Sequence, residues 1–358
     1  MNGNVVLPLD EESAALLLRD LYKKRGYAPY RMSKFEEYDF YAANKSYLPS
    51  PDILTFTDLT GKLMALKPDV TLSILRGVKN GEERRVYYNE KVYRPDRAGG
   101  GFREITQVGL ERIGRIDLCA CAEVLRLAYN SLRVLSEDCT LVISDMDLLA
   151  LCLRRITDDE ALRRELTTLI AQKNVDGILS VLPAGEKAQK LTALCRICDA
   201  PERAIVILKG LFPDGEWQAA VAGFEVLLNA LENAQVKVDF SVVQNERYYN
   251  GVVFRGYIRG VAERLLSGGR YDRLMEKMGK KQSAIGFAVY LDKILPLLKP
   301  VDQEVDCLIV YDEKTDLRKL TALIEELDAQ GKSVFTARQG SDVPRAQKVC
   351  DLTGGRKI

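Results

Sequence analysis

Three features of this 358-residue chain predict an α+β fold built on an antiparallel sheet. Extended runs come in hairpin pairs, Ile53–Thr57 with Leu63–Leu66 and Arg85–Tyr93 with Arg103–Ile113. Helical periodicity then fills residues 145 to 234 and separates these hairpins from later strand-like runs. The regular βαβ alternation of a dinucleotide-binding sheet is missing from the pattern.

Taken in order, residues 10 to 25 read as an amphipathic helix. Glu11 and Glu12 lie in its first turn, Leu16, Leu17, Leu18 and Leu21 are apolar positions, and Gly26 is the stop. The turn Asp58-Leu59-Thr60-Gly61 closes the first hairpin. Pro68 opens a short helix toward Arg76, since proline suits a first helical turn. Residues 117 to 136 are helical, and the block up to 234 is punctuated by Pro183, Pro201 and Pro213. Strand character returns at Val236–Val243 and Val252–Tyr257. A helix after Gly268-Gly269, a strand at Ala284–Val289 and a helix at Leu291–Leu298 follow. Beyond Pro300, a strand (Cys307–Tyr311), a helix (Asp316–Ala329) and a strand (Ser333–Thr336) form a β-α-β segment, small for a domain of its own. The expected organisation is a sheet domain of residues 1–144 and 235–300, a helical insertion at 145–234 and a C-terminal segment at 301–358.

A hydrophobic fraction of 47% supplies ample core, while 52 basic against 51 acidic residues leave no cationic surplus for nucleic acid or a membrane surface. The chain contains no histidine, which excludes Ser-His-Asp and Cys-His machinery, His-ligated zinc or haem, and an imidazole base. No apolar run is long enough to cross a membrane, and the first ten residues lack the basic and apolar regions of a signal peptide. Eight scattered cysteines suit reduced thiols and a cytosolic setting. Cys195 and Cys198 form a C-x-x-C without a second pair, so buried helix cysteines are expected rather than metal ligands. No cofactor, metal or catalytic residue is expected.

The most informative segment is Phe102 to Arg112. As a strand it projects Arg103, Gln107 and Glu111 to one side, around Ile105 and Gly109, and Val108 and Leu110 to the other. A guanidinium, an amide and a carboxylate in a row suit a zwitterionic or phosphorylated small ligand; a plain polar sheet face fits the spacing as well. Gly99-Gly100-Gly101 matches no phosphate-loop spacing and reads as a hairpin loop. Tyr248-Tyr249 before Asn250-Gly251 are aromatics beside a hairpin, suited to packing or to walling a ligand. Ser267 to Asp272 reads as a helix start whose amides favour an anion, or as a plain turn.

The order of these pieces resembles the class II aminoacyl-tRNA synthetase catalytic core, in particular the histidyl-tRNA synthetase lineage. The matching residues are the N-terminal helix, Ala65 to Thr71, Phe102 to Glu111, Tyr248-Tyr249-Asn250, Gly268 to Asp272 and Gly286-Phe287-Ala288. The resemblance implies an antiparallel sheet flanked by helices, with a helical insertion before the two tyrosines and dimerisation around residues 10–45. It implies a retained amino-acid pocket of Asp69, Thr71, Gln107, Glu111, Tyr248 and Tyr249, which with Arg103 from the strand face make up the expected effector-binding set. Glu111 and Gln107 would meet a ligand's ammonium or imidazole, Asp69 and Thr71 its ammonium, and the tyrosines would wall the pocket.

Departures from the synthetase pattern point further. Gln244 stands where an arginine activates the amino-acid carboxylate, Lys293 where an arginine clamps ATP, Tyr290 where a small glycine stands, and Lys67 where an arginine is expected. The C-terminal segment resembles only the start of an anticodon-binding domain. This combination resembles the regulatory-subunit family of short-form ATP phosphoribosyltransferase. That family does not charge tRNA; it joins a separate catalytic subunit for the first step of histidine biosynthesis and takes part in activation and histidine feedback. The implied partners are that catalytic subunit, a histidine effector and a second copy of the chain within a hetero-oligomer, with no tRNA and no membrane. A working synthetase-like ligase and a free-standing amino-acid sensor are the alternatives.

Overall fold

The computed structural model describes residues 10–48, 50–96, 99–243, 248–294, 304–341 and 343–355. The chain forms two compact units, Met1–Leu298 and Lys299–Ile358. The first unit begins with α1 (Glu11–Lys23), β1 (Ala28–Pro29), β2 (Phe35–Glu37), α2 (Tyr38–Ala43), β3 (Thr55–Thr57), β4 (Leu63–Leu66) and α3 (Val70–Arg76). The long hairpin of β5 (Arg84–Pro95) and β6 (Phe102–Gly114), then α4 (Leu118–Leu135) and β7 (Cys139–Asp145), come next. Six helices follow: α5 (Met146–Ile156), α6 (Glu160–Ala171), α7 (Val175–Val181), α8 (Glu186–Arg196), α9 (Pro201–Leu211) and α10 (Gly215–Asn229). The unit closes with β8 (Val236–Val238), β9 (Asn250–Ile258), β10 (Leu266–Arg270), α11 (Asp272–Lys277) and β11 (Ser283–Tyr290).

The main sheet has the order β1-β5-β6-β11-β10-β9-β7-β8, antiparallel through its centre with parallel pairs at both edges. A smaller sheet, β2-β4-β3, is antiparallel. The pleat of β6 sorts its residues between two cores. Val108 and Leu110 join the larger one, with Leu18 and Tyr22 of α1, Val124 and Leu132 of α4 and much of α5 to α10. Ile105 and Ile113 join the other, with Leu72 and Leu75 of α3, Tyr88 of β5 and Tyr271. Within the larger core the fully buried Tyr22 ring meets Tyr87 and Phe287, and its hydroxyl shares a 2.9 Å hydrogen bond with Ser131 of α4. Most helices start on a carboxylate or amide cap: Asp10, Asp69, Asp117, Asp145, Asp159, Asn174 and Asp214 each accept from an N–H of the first turn.

The second unit consists of β12 (Glu304–Tyr311), α12 (Leu317–Ala329), β13 (Val334–Arg338) and β14 (Arg345–Asp351), a parallel sheet of order β13-β12-β14. Its core is Cys307, Ile309, Leu327 and Leu352.

Several sequence expectations need correction. Gly268 and Gly269 lie inside β10, not at a helix start: a Cβ on Gly268 would stand 2.3 Å from the Gly286 carbonyl, so glycine serves close strand approach there. The helix begins later, at Asp272, and the Asn250 side chain already accepts from its N–H at 2.7 Å, so this end offers no open anion site. The helix after Pro68 starts at Val70 with Asp69 as its cap. Val236–Val243 is a strand only to Val238, because the Asp239 carboxylate accepts from Ser241 N and turns the chain. Leu291–Lys293 is a single 3-10 turn, and Leu295–Leu298 lie outside the described residues. Cys195 is buried in α8, whereas Cys198 falls past its end and is exposed. β14 escapes detection because it is largely exposed and polar.

The packing yields a paired prediction. A Cβ on Gly286 would lie 1.7 Å from Glu111 Oε2 and 2.5 Å from the Leu110 carbonyl, whereas one on Gly223, inside α10, would meet nothing within 4 Å. Gly286→Ala should cost about 1–3 kcal/mol in chemical denaturation, and Gly223→Ala should add about 0.5–1 kcal/mol.

Candidate functional site

One face of the main sheet floors a cavity of about 320 Å³, within the range of small-molecule sites. Among its buried polar groups is Glu111, only 2% exposed, on β6. The carboxylate leans over Gly286, its partner on β11. Thr71 Oγ1 donates to Oε1 at 2.8 Å and Tyr271 OH donates to Oε2 at 2.6 Å. Thr71 is brought there by α3 and Tyr271 by the turn between β10 and α11, so three distant parts of the chain converge on one carboxyl group.

Burial dominates the electrostatics. It pushes the Glu111 carboxyl from its ordinary 4.5 up to about 8; the Tyr271 and Thr71 hydrogen bonds oppose this and the nearby Asp69 adds to it. Asp69 is itself held above its ordinary value by burial, against the pull of Arg94. Its Oδ1 caps α3 through Leu72 N at 2.9 Å, and its Oδ2 lies 3.7 Å from Arg94, whose Nε donates to the Pro68 carbonyl. The cavity thus has an acidic end where burial disfavours the charged form of both carboxyl groups.

Gln107, four residues before Glu111 on the same strand face, is also buried, and its Nε2 has no hydrogen-bond partner among the described residues. A buried donor without a partner costs about 1–3 kcal/mol, and here it lines the cavity. Tyr248 and Tyr249 wall the site, their rings 4.3 Å apart, with Tyr271 5.7 Å from Tyr248. Burial holds all three hydroxyls well above their ordinary value, so they remain neutral. Tyr290 shares a 2.9 Å hydrogen bond with Ser267, and both line the cavity.

Six of the seven residues marked in the sequence, Asp69, Thr71, Gln107, Glu111, Tyr248 and Tyr249, come together here. Arg103 does not: it is exposed at the start of β6 and lies outside the lining. Arg255 and Arg264 carry no mark in the sequence reading, although a lone arginine inside the apolar run of β9 is a usable signal for Arg255; Ser267 and Tyr271 fall in the segment read as a helix start, and they reach the cavity through their side chains rather than through helix amides. Lys67 is fully buried and pairs with Glu90 at 2.8 Å, a structural tie between β5 and the segment entering α3. Lys293 pairs with Glu263 and sits over the Tyr290 ring, off the lining. Gln244 lies outside the described residues. Among the described residues no group of three His, Cys, Asp or Glu could hold a metal, and no helix is long and apolar enough to cross a membrane.

Comparison with known proteins places this geometry. The family model described as histidyl-tRNA synthetase matches residues 9–294. The ATP phosphoribosyltransferase regulatory subunit of Acetivibrio thermocellus is 27% identical, over 94% of this chain and 85% of its own. The structure of an ATP phosphoribosyltransferase regulatory subunit/histidyl-tRNA synthetase from Bacillus halodurans has the same fold, with a TM-score of 0.81 at 23% identity over 96% of this chain and 94% of that one. A chain of the ATP phosphoribosyl transferase (HisG:HisZ) complex from Thermotoga maritima also shares the fold, with a TM-score of 0.61 at 18% identity over 78% of this chain and 97% of that one. With the family match spanning most of its length, the chain belongs to the histidyl-tRNA synthetase family.

Proposed function

We propose that this protein is the regulatory subunit of an ATP phosphoribosyltransferase, that it does not itself catalyse the reaction, and that its cavity takes histidine as an effector. The observation that carries the reading is the composition of the cavity. Glu111, Asp69 and Thr71, beside Gln107, form a cradle for an amino acid's cationic groups between tyrosine walls. The two lysines that stand where synthetases carry arginines are both tied into ion pairs, Lys67 with Glu90 and Lys293 with Glu263. Neither presents a planar fork to a nucleotide phosphate. The regulatory-subunit name of a relative aligned over most of both chains supports the same assignment. The complex from Thermotoga maritima supports a catalytic subunit as the partner. A second copy of the chain, pairing around residues 10–45, belongs to the same reading, as does a cytoplasmic location without tRNA.

In this reading the acidic end recognises charge by exchange. An imidazolium or ammonium entering beside Glu111 stabilises the carboxylate that burial otherwise disfavours. The unpartnered Gln107 Nε2 is a donor, and the acceptor it lacks would come from the amino acid's carboxylate rather than from its cationic groups.

Mixed with a short catalytic phosphoribosyltransferase, the chain should comigrate in size exclusion and confer activated, histidine-sensitive turnover. Histidine-dependent pyrophosphate–ATP exchange by the chain alone, at a synthetase's rate, would instead make it a ligase. Glu111→Ala should weaken histidine binding about tenfold or more in calorimetry; unchanged affinity would place the effector elsewhere. The folded-state value of Glu111 lies above its ordinary one, so its protonated form favours the fold. That contribution is complete below about 4.5 and is lost as pH rises through about 8. Melting temperatures from pH 5 to 9 should therefore fall less steeply for Glu111→Gln than for the wild type, and parallel curves would refute the shift.

A further inference from the structure

The cavity is electrically divided. Its lining also carries three arginines, Arg94, Arg255 and Arg264, which are not equivalent. Arg94 is committed to the Pro68 carbonyl and to Asp69. Arg255, partly buried on β9, donates through Nη2 to the Val243 carbonyl at 3.0 Å and makes no ion pair among the described residues. Arg264 makes none either and is exposed at the rim, just before β10. A guanidinium held partly out of water without a counter-charge is costly, and its fork matches a carboxylate.

The sheet sets the distances. Arg255 is paired with Ser267 of β10, Ser267 with Ala288 of β11, and Ala288 with Gly109 of β6, two residues from Glu111. Three inter-strand steps of about 4.8 Å separate the strands that carry the cation and the acid. Long side chains reaching inward from both sides leave a gap suited to one small zwitterion. Ala288 and Gly286, which line the cavity between them, carry little or no side chain.

We propose that Arg255, assisted by Arg264, binds the carboxylate of an amino acid whose cationic groups lie at Glu111. This rests on the reading of the cavity as an amino-acid site. Arg255 is then a specificity-determining residue: it selects amino acids over the corresponding amines, while Glu111 selects the cationic end.

The test is calorimetric titration of the full chain with L-histidine and with histamine, which keeps the imidazole and ammonium but lacks the carboxylate. The wild type should bind histidine at least about tenfold more tightly than histamine, the cost of one lost charge-assisted contact. Arg255→Gln should remove most of that preference by weakening histidine alone, Arg255→Lys should restore part of it, and Arg264→Gln should have a smaller effect in the same direction. Equal affinities of the wild type for the two compounds, or an unchanged preference in Arg255→Gln, would overturn the inference while leaving the amino-acid site standing. Failure of the wild type to bind either compound would remove the amino-acid reading itself, and this inference with it. Thermal melting checks that each variant folds. Should Arg255→Gln fail to fold, the wild-type preference and its reduction in Arg264→Gln decide the matter.

Discussion

The site depends on a carboxyl group buried where a carboxylate is poorly tolerated. Glu111 is held by Thr71 and Tyr271 from two separate elements, and the space it occupies exists only because β11 presents a glycine beneath it. The surrounding features follow from that constraint. Tyr88, Tyr248, Tyr249 and Tyr271 wall the site and keep their hydroxyls neutral, Asp69 adds a second acid nearby, and the glycines Gly109 and Gly286 leave room for the Tyr88 and Glu111 side chains that lie over them. An arrangement that penalises charge in the empty state rewards a ligand that brings the opposite charge.

Without histidine in the chain, no imidazole of the protein competes for these carboxyl groups or titrates near neutrality. The response to pH in that range falls instead to buried carboxyl groups such as Glu111 and Asp145, the latter raised to about 6 by burial. The two lysines that replace synthetase arginines are both held in ion pairs away from the cavity lining. Lys67 braces the approach to α3, and Lys293 is drawn to Glu263 rather than into the cavity.

Much of the fold was legible in the sequence because its signals are local. The period of two along β6 correctly separated Val108 and Leu110 from Gln107 and Glu111. The turn at Asp58 to Gly61 closed as its residues demand, the Asp58 carboxylate accepting from Thr60 N and Lys62 N. What escaped was set by distant contacts. Gly268-Gly269 looks like a helix start in one dimension, and only the approach of β11 makes it a strand. Arg103 shares the face of Gln107 and Glu111, but strand alternation gives the side and not the distance along it, so Arg103 lies beyond the cavity. Arg255 enters from a strand three places away, a juxtaposition that only the sheet order reveals.

The protonation state of Glu111 is the quantity on which the account turns. Carbon-13 NMR of chain labelled at the glutamate side-chain carboxyl carbon, with the signal assigned by its loss in Glu111→Gln, reads it directly. The account predicts a titration midpoint near 8 in the free protein, moving down when histidine occupies the cavity. A midpoint near 4.5 in the free protein, unmoved by histidine, would contradict it.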